Sequence, residues 1–137
     1  MTKKLFAAAA AALSLAMSSP AAAAEPGKSI VSLYRAAPGQ QVALLKWMAA
    51  QDRASAAAGV AASQIYVHTS GDSWDYLVIN PVTTPAQDDA IEAAAKKQGA
   101  SSGPMASIQF RTMIASHTDT YTDGPMTADQ ILAGIGN

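Results

Sequence analysis

Four side chains that could do chemistry stand at every second position of the stretch Ser116–Met126, SHTDTYTDGPM: His117, Asp119, Tyr121 and Asp123. Imidazole and carboxylate groups bind divalent metals, and a histidine next to a carboxylate is also the usual arrangement of a general base. The alternative is structural, because the same alternation produces one face of a β-strand, with the intervening threonines on the other face.

The spacing also resembles the beginning of a calcium-binding loop, D-x-[DN]-x-[DN]-G, read from Asp119 to Gly124. Such a loop needs a carboxylate or amide at its third position and a glutamate at its twelfth, where this chain has Tyr121 and Gln130. A looser site on His117 and Asp119 would have two ligands from one subunit, which hold a divalent ion poorly. The sequence therefore predicts no metal site.

We predict instead that a helix ends near His117, where the helix dipole favours an imidazolium. A short strand from about Asp119 to Asp123 and a turn at Gly124–Pro125 are expected to follow. In that arrangement Asp119 is the nearest sequence-local partner of His117, and the two form one candidate catalytic pair.

His68 is the other histidine downstream of the N-terminal segment, and it belongs to a predicted hairpin. The turn sequence SGDS, Ser70–Ser73, favours a two-residue loop, which pairs the flanking strands so that His68 lies opposite Asp75. A carboxylate beside a histidine fixes its tautomer and orients it as a proton acceptor. The alternative is a polar pair at the edge of a sheet with no chemistry.

These candidates need elements to position them, and periodicity and capping signals predict the order β-α-β-β-α-α-β. The predicted strands are Ser29–Ala36, Ser63–Thr69, Trp74–Val82 and Asp119–Asp123, and the predicted helices are Gln40–Gly59, a helix that opens at Thr84–Pro85 and ends at Gly99, Pro104 to about Ser116, and a short final helix capped by Thr127.

The first predicted strand is apolar on both of its faces. Ile30 and Tyr34 point one way, whereas Val31 and Leu33 point the other way, and the third strand shows the same property. Helices can cover only one face of the sheet, so the other face needs a partner, which a face-to-face homodimer would supply. The alternative is a monomer with a partly apolar sheet face.

The N-terminal segment, residues 1–24, is typical of a secretory signal peptide. Lys3 and Lys4 precede the apolar run Leu5–Met17, and Ala22–Ala24 fits a small-residue cleavage site. The run has 13 residues, fewer than the roughly 20 that span a bilayer, so we expect cleavage near Ala24 and no membrane anchor. We expect the remaining residues, 25–137, to form a single α+β domain, periplasmic or secreted.

Composition excludes several classes of function. Without the two lysines of the signal, seven basic residues remain against ten acidic ones, a net charge near −3 with no basic cluster. Nucleic acid is therefore not an expected partner. The chain has no cysteine, which excludes disulfides, thiolate metal sites and a lipid-modified cysteine. We find no nucleophile elbow, phosphate loop or dinucleotide fingerprint, and the sequence predicts no cofactor.

The order of elements resembles the ferredoxin-like α+β fold and, more narrowly, the dimeric α/β-barrel superfamily, which includes antibiotic-biosynthesis and haem-degrading monooxygenases. The resemblance implies a four-stranded antiparallel sheet with helices on one face, and two such sheets paired face to face. The haem-degrading branch uses an asparagine, a tryptophan and a histidine around its pocket. Trp74 lies at a comparable place, but the first strand has no asparagine, so that branch is not expected.

The function that follows is a small-ligand-binding module, with a pocket for an apolar or aromatic ligand between the sheet and the helices, lined by Tyr34, Trp74 and Tyr76. Two alternatives stay open. One is a cofactor-independent enzyme of the monooxygenase or isomerase kind, with His68 or His117 as its proton acceptor. The other is a purely structural envelope protein.

Overall fold

The computed structural model describes residues 27–135, which form four strands and four helices. In chain order these are β1 (Gly27–Ala36), α1 (Gln41–Ala57), β2 (Gln64–Val67), β3 (Tyr76–Pro81), α2 (Pro85–Lys97), α3 (Gly103–Met113), β4 (Ile114–Gly124) and α4 (Ala128–Ile135). The predicted signal peptide and its cleavage near Ala24 lie outside the described residues.

The strands form one antiparallel sheet in the order β2-β3-β1-β4. β1 lies in the middle, so that Tyr34 stands opposite Tyr76 on one side and opposite His117 on the other. This strand order, with the connections made by helices, is the predicted ferredoxin-like α+β fold. The predicted fold class is therefore confirmed.

The hairpin between β2 and β3 has the predicted register. Val67 pairs with Tyr76, and one position further the backbone N–H of His68 donates to the carbonyl oxygen of Asp75 at 3.0 Å. The two residues therefore lie opposite each other, as predicted, although β2 ends at Val67 and β3 begins at Tyr76, so the connection is longer than the predicted two-residue loop.

Two helices begin at the predicted threonine caps. The Thr84 hydroxyl accepts a hydrogen bond from the backbone N–H of Gln87, whose side chain in turn accepts from the backbone N–H of Thr84. Thr127 and Gln130 repeat the same reciprocal pair at α4. Each pair satisfies N–H groups that the first helical turn leaves without partners.

The region around His117 differs from the prediction. α3 ends at Met113, and β4 begins at the next residue, so His117 lies inside a strand and not at a helix terminus. β4 has 11 residues and begins five residues before the predicted strand at Asp119. The reason is the partner strand: β1 extends to Ala36, which pairs with Ile114, and this ladder overrides the local helix signal. A register shift between Arg35 and Ala36 accommodates the direct transition from α3 to β4.

The core lies on one face of the sheet, which we call the helix face. Leu44 and Met48 of α1 are buried against Tyr76 and Val78 of β3, and Met113 completes the cluster at the end of α3. α2 and α3 pack against α1. Among the described helices, none combines the length and apolar character that crossing a membrane requires.

The opposite face of the sheet, which we call the open face, carries the alternate residues of each strand. Leu33 stands opposite Leu77, and Val31 stands opposite Ile79. Tyr66 of β2 extends this surface and is exposed over half of its area. The predicted division of apolar residues between two faces is therefore observed.

Candidate functional site

A cavity of about 260 Å³ lies between α1 and the helix face of the sheet. We call it the helix-side cavity, and it is lined by Tyr34, Trp47, Met48, Gln51, Asp52, Ser63, Val78 and Asn80. A second cavity of about 250 Å³ adjoins it and shares Asp52 and Asn80 as lining residues. Together the two reach the size of small-ligand pockets, which begins at about 300 Å³.

Strand and helix periodicities bring these side chains together. Val78 and Asn80 are two positions apart on β3 and share the helix face, and Trp47 and Gln51 are one turn apart on α1. Asp52 is held in place because its carboxylate accepts hydrogen bonds from the backbone N–H and the hydroxyl of Ser63, at 3.1 and 2.8 Å. The Asp52 carboxylate is therefore a fixed polar group of a cavity whose other lining residues include two aromatic rings.

Four rings form a continuous aromatic cluster from the cavity to the edge strand. Trp47 contacts Phe110 of α3 with 5.0 Å between ring centroids, and Phe110 meets Tyr34 edge-on at 5.8 Å. The ring of His117 stacks on Tyr34 at 5.8 Å with an interplanar angle of 9°, and its distance to Phe110 is 5.3 Å. Tyr34 thus belongs both to the cavity wall and to the surroundings of His117.

His117 lies beside a carboxylate that is itself held in place. Nε2 of His117 is 3.4 Å from Oδ2 of Asp119, and Oδ1 of Asp119 accepts a hydrogen bond of 2.6 Å from the buried hydroxyl of Ser32. Ser32 stands directly opposite Asp119 in the sheet, as Tyr34 stands opposite His117. The predicted partnership of His117 and Asp119 is therefore present, on a strand face and not at a helix end.

The Tyr34 phenol is kept neutral by its surroundings. Burial raises the pKa of this group above its ordinary value of 10.0, a hydrogen bond with Ser32 lowers the pKa, and the negative charge of Asp119 raises it again. The phenol therefore remains protonated at neutral pH, and it can act as a hydrogen-bond donor but not as a base.

The polar wall of the cavity offers a side-chain amide to a ligand. Asn80 lines the cavity, and its amide can both donate and accept hydrogen bonds. Nε1 of Trp47 also has no hydrogen-bond partner among residues 27–135, but this atom is buried away from solvent. Trp47 therefore contributes its ring to the cavity wall, and Asn80 contributes a hydrogen-bonding group.

His68 and Asp75 are not an oriented catalytic pair, although their backbones pair. The Asp75 carboxylate accepts a hydrogen bond of 2.7 Å from the backbone N–H of Ala36, at the irregularity of β1. Nε2 of His68 is buried without a hydrogen-bond partner in the described chain, and its ring contacts Trp74 at 5.1 Å. The carboxylate expected to orient the imidazole instead satisfies a buried backbone group.

The three residues predicted to line a ligand pocket are dispersed. Tyr34 lines the helix-side cavity, whereas Tyr76 is buried in the core, with its hydroxyl 3.4 Å from the carbonyl oxygen of Gln41. Trp74 lies in the connection that precedes β3. Their role in ligand binding stays a prediction.

The sequence gives no signal for Phe110 and Asn80 at this site and only a weak one for Trp47. The one-turn spacing of Trp47 from the polar Gln51 is the local pattern that could have indicated a cavity wall. Phe110 and Asn80 become neighbours of the site through the sheet register and the packing of α3, which no local pattern reveals.

The stretch from Asp119 to Gly124 is extended strand and not a loop. Within residues 27–135 no group of three or more histidine, aspartate or glutamate side chains is arranged to hold a metal ion.

Comparisons with known proteins give a likeness of fold. No family model and no curated protein matches the chain. Among solved structures, the chain is similar to a protein of Chloroflexus aurantiacus J-10-fl described as a candidate antibiotic biosynthesis monooxygenase. The two are 16% identical, and the match covers 75% of this chain and 98% of the other with a TM-score of 0.42. That description falls within the group of proteins that the element order resembles, and nothing about function follows from it.

Proposed function

We propose that this protein is an exported small-ligand-binding module and that the helix-side cavity is its binding site. The observation that supports this proposal most directly is the composition of the cavity wall. Tyr34 and Trp47 form an aromatic side, and Gln51, Asp52 and Asn80 form a polar side. Ligand pockets combine a largely apolar lining with a few convergent polar groups in this way.

The chemistry of the wall defines the class of ligand. A flat apolar or aromatic body would contact the rings of Tyr34 and Trp47, which both line the cavity. A polar atom on its edge would pair with the Asn80 amide. The Asp52 carboxylate in the cavity wall disfavours an anionic ligand. We therefore propose a neutral, planar molecule with at least one hydrogen-bonding oxygen.

Calorimetric titration with 2-naphthol, a neutral planar probe that carries one hydroxyl, tests the site. We expect Trp47→Leu to weaken binding about tenfold, because it removes an aromatic contact. Trp74→Leu is the matched control, since Trp74 lies outside the cavity. Unchanged affinity of Trp47→Leu, or equal losses in the two variants, would contradict the assignment. Native mass spectrometry of the purified protein identifies a natural ligand.

The open face supports a homodimer as the functional form. Its surface is apolar at Val31, Leu33, Leu77 and Ile79, and helices cover the other face of the sheet. A twofold pair with the open faces together would remove this surface from water. Sedimentation velocity tests the proposal: a species of twice the monomer mass is expected, and a monomer at millimolar concentration would refute it.

Export remains part of the proposal, and it is supported by the N-terminal sequence pattern alone. Mass spectrometry of protein recovered from the periplasm or the medium is expected to give a mature chain that begins at Glu25. A chain that retains residues 1–24 in the cytoplasm would contradict it.

A second candidate function, proton-transfer catalysis, is favoured by the geometry at His117. The imidazole is stacked on Tyr34 and lies 3.4 Å from a carboxylate that Ser32 fixes in place. Distances of this kind often shorten when a substrate is bound. The arrangement suits a general base with an adjacent neutral phenol that donates to the developing anion.

The probe for this activity is 5-nitrobenzisoxazole, whose ring opening needs only a base. The base takes the ring C–H proton, the N–O bond breaks, and the electron pair ends on the phenolate oxygen. We expect His117→Gln to lower the rate about a hundredfold. The rate of Asp119→Asn should lie between that of His117→Gln and that of the unmodified protein, and His68→Gln should match the unmodified protein. A His117→Gln variant as fast as the unmodified protein would rule out this candidate function.

A further inference from the structure

α4 is an apolar helix that residues 27–135 leave uncovered. Ile131, Leu132 and Ile135 are 48%, 63% and 73% exposed, and their spacing puts them on one side of the helix. α4 has no substantial packing against another element of residues 27–135. A helix of eight residues is marginal in water by itself, so α4 needs a surface to pack against.

The open face has an unfilled groove at one end. This open-face groove has a volume of about 450 Å³ and is lined by Val31, Tyr66 and Ile79 together with polar residues of β1, β2 and β4. It ends at Gly124 and Pro125, the residues that lead into α4. The residues that precede α4 therefore lie at the end of the open-face groove.

We infer that in the homodimer α4 of each copy packs into the open-face groove of the second copy. This inference rests on the dimer proposed above and adds which elements are exchanged. Two exposed apolar surfaces on one chain, a helix side and a groove, then cover each other reciprocally, as twofold symmetry requires of a closed pair. The occupant is thus a second copy and not an unrelated partner.

The strand order makes this geometry accessible. β4 and β2 are the two edges of the sheet. A twofold axis that runs along the strands, between two stacked open faces, places the β4 edge of one copy beside the β2 edge of the other. α4 follows β4, so this arrangement places α4 next to Tyr66 and Ile79 of the second copy, at the same end of the sheet. A helix is about as thick as the spacing between stacked sheets, so α4 occupies the groove end, where the twisted sheets diverge.

Paired cysteines locate α4, because the natural chain contains none. The double variant Tyr66→Cys with Leu132→Cys is expected to form a covalent dimer on mild oxidation, read on a non-reducing gel. The control pair, Val42→Cys with Leu132→Cys, puts one cysteine on an exposed position of α1 and is expected to stay uncrosslinked. A disulfide within one chain would show instead that α4 folds back on its own sheet, and the exchange would be wrong.

A charge introduced on α4 provides an independent measurement. Leu132→Glu is expected to raise the dimer dissociation constant about tenfold or more in sedimentation equilibrium. Ala133→Glu, with the same charge on the other side of the helix, should leave it unchanged. If all three proteins are dimers with the same dissociation constant, the exchange of α4 is wrong but the proposed dimer stands. A monomeric unmodified protein overturns both.

Discussion

Asp75→Ala is the substitution whose effect on stability the structure specifies most closely. The Asp75 carboxylate accepts a 2.7 Å hydrogen bond from the backbone N–H of Ala36, a buried residue at the register shift of β1. Alanine removes the acceptor and leaves the N–H of this buried residue without its hydrogen-bond partner. An unsatisfied buried donor costs about 1–3 kcal/mol, so we expect a loss of about 2 kcal/mol in the free energy of unfolding.

Thermal unfolding followed by circular dichroism is a suitable assay. At about 4 °C per kcal/mol for a domain of this size, the melting temperature should fall by roughly 8 °C. Asp75→Asn keeps an acceptor oxygen in the same place and should lose less than half as much. Asp72→Ala removes a carboxylate from the neighbouring exposed turn and should cost under about 0.5 kcal/mol.

Two outcomes would refute this reasoning. If Asp75→Ala has the same melting temperature as the unmodified protein, the bond to Ala36 contributes nothing to stability. The carboxylate would then be free for other roles, including a partnership with His68. If Asp75→Asn loses as much as Asp75→Ala, the negative charge matters and the position of the acceptor oxygen does not.

Tyr34 and the cap at Thr84 give two further predictions. The folded state raises the pKa of Tyr34, so the unfolded chain loses this proton first as the pH rises beyond about 10. The free energy of unfolding should therefore decrease above that pH and be unaffected below it. Urea unfolding at about pH 8 and about pH 10.5 should show a smaller decrease in Tyr34→Phe, with Tyr121→Phe, an exposed phenol, as control. Thr84→Ala should cost about 1 kcal/mol, because the N–H of Gln87 loses its acceptor; a loss no greater than that of Thr69→Ala, at an exposed position, would contradict the importance of the cap.

The fold was predictable where local signals and long-range pairing agree. Thr84 and Thr127 mark helix starts by their own chemistry, and the turn residues Ser70–Ser73 predicted that His68 and Asp75 lie opposite each other. The boundary between α3 and β4 was not predictable, because Ile114–Ser116 could extend a helix and becomes a strand only by pairing with β1.

The candidate site was predictable only in part, for the same reason. Alternation along one strand placed Asp119 next to His117. The contacts of His117 with Tyr34 and Phe110, and the bond from Ser32, cross between elements far apart in the chain. Asp75 shows that a correct strand register does not determine the partner of a side chain, because its carboxylate bonds to the backbone of Ala36 and not to His68.

The position of β1 in the sheet also governs when the protein can fold. β1 is the first of the described strands to be synthesised, yet one of its two neighbours is β4, the last. The Ser32–Asp119 and Ser29–Thr122 bonds join residues 87 and 93 positions apart. Contacts of such long sequence separation form slowly, because a long loop must close before they contribute. The central strand of the sheet therefore lacks one of its two neighbours until nearly all of the chain has been synthesised.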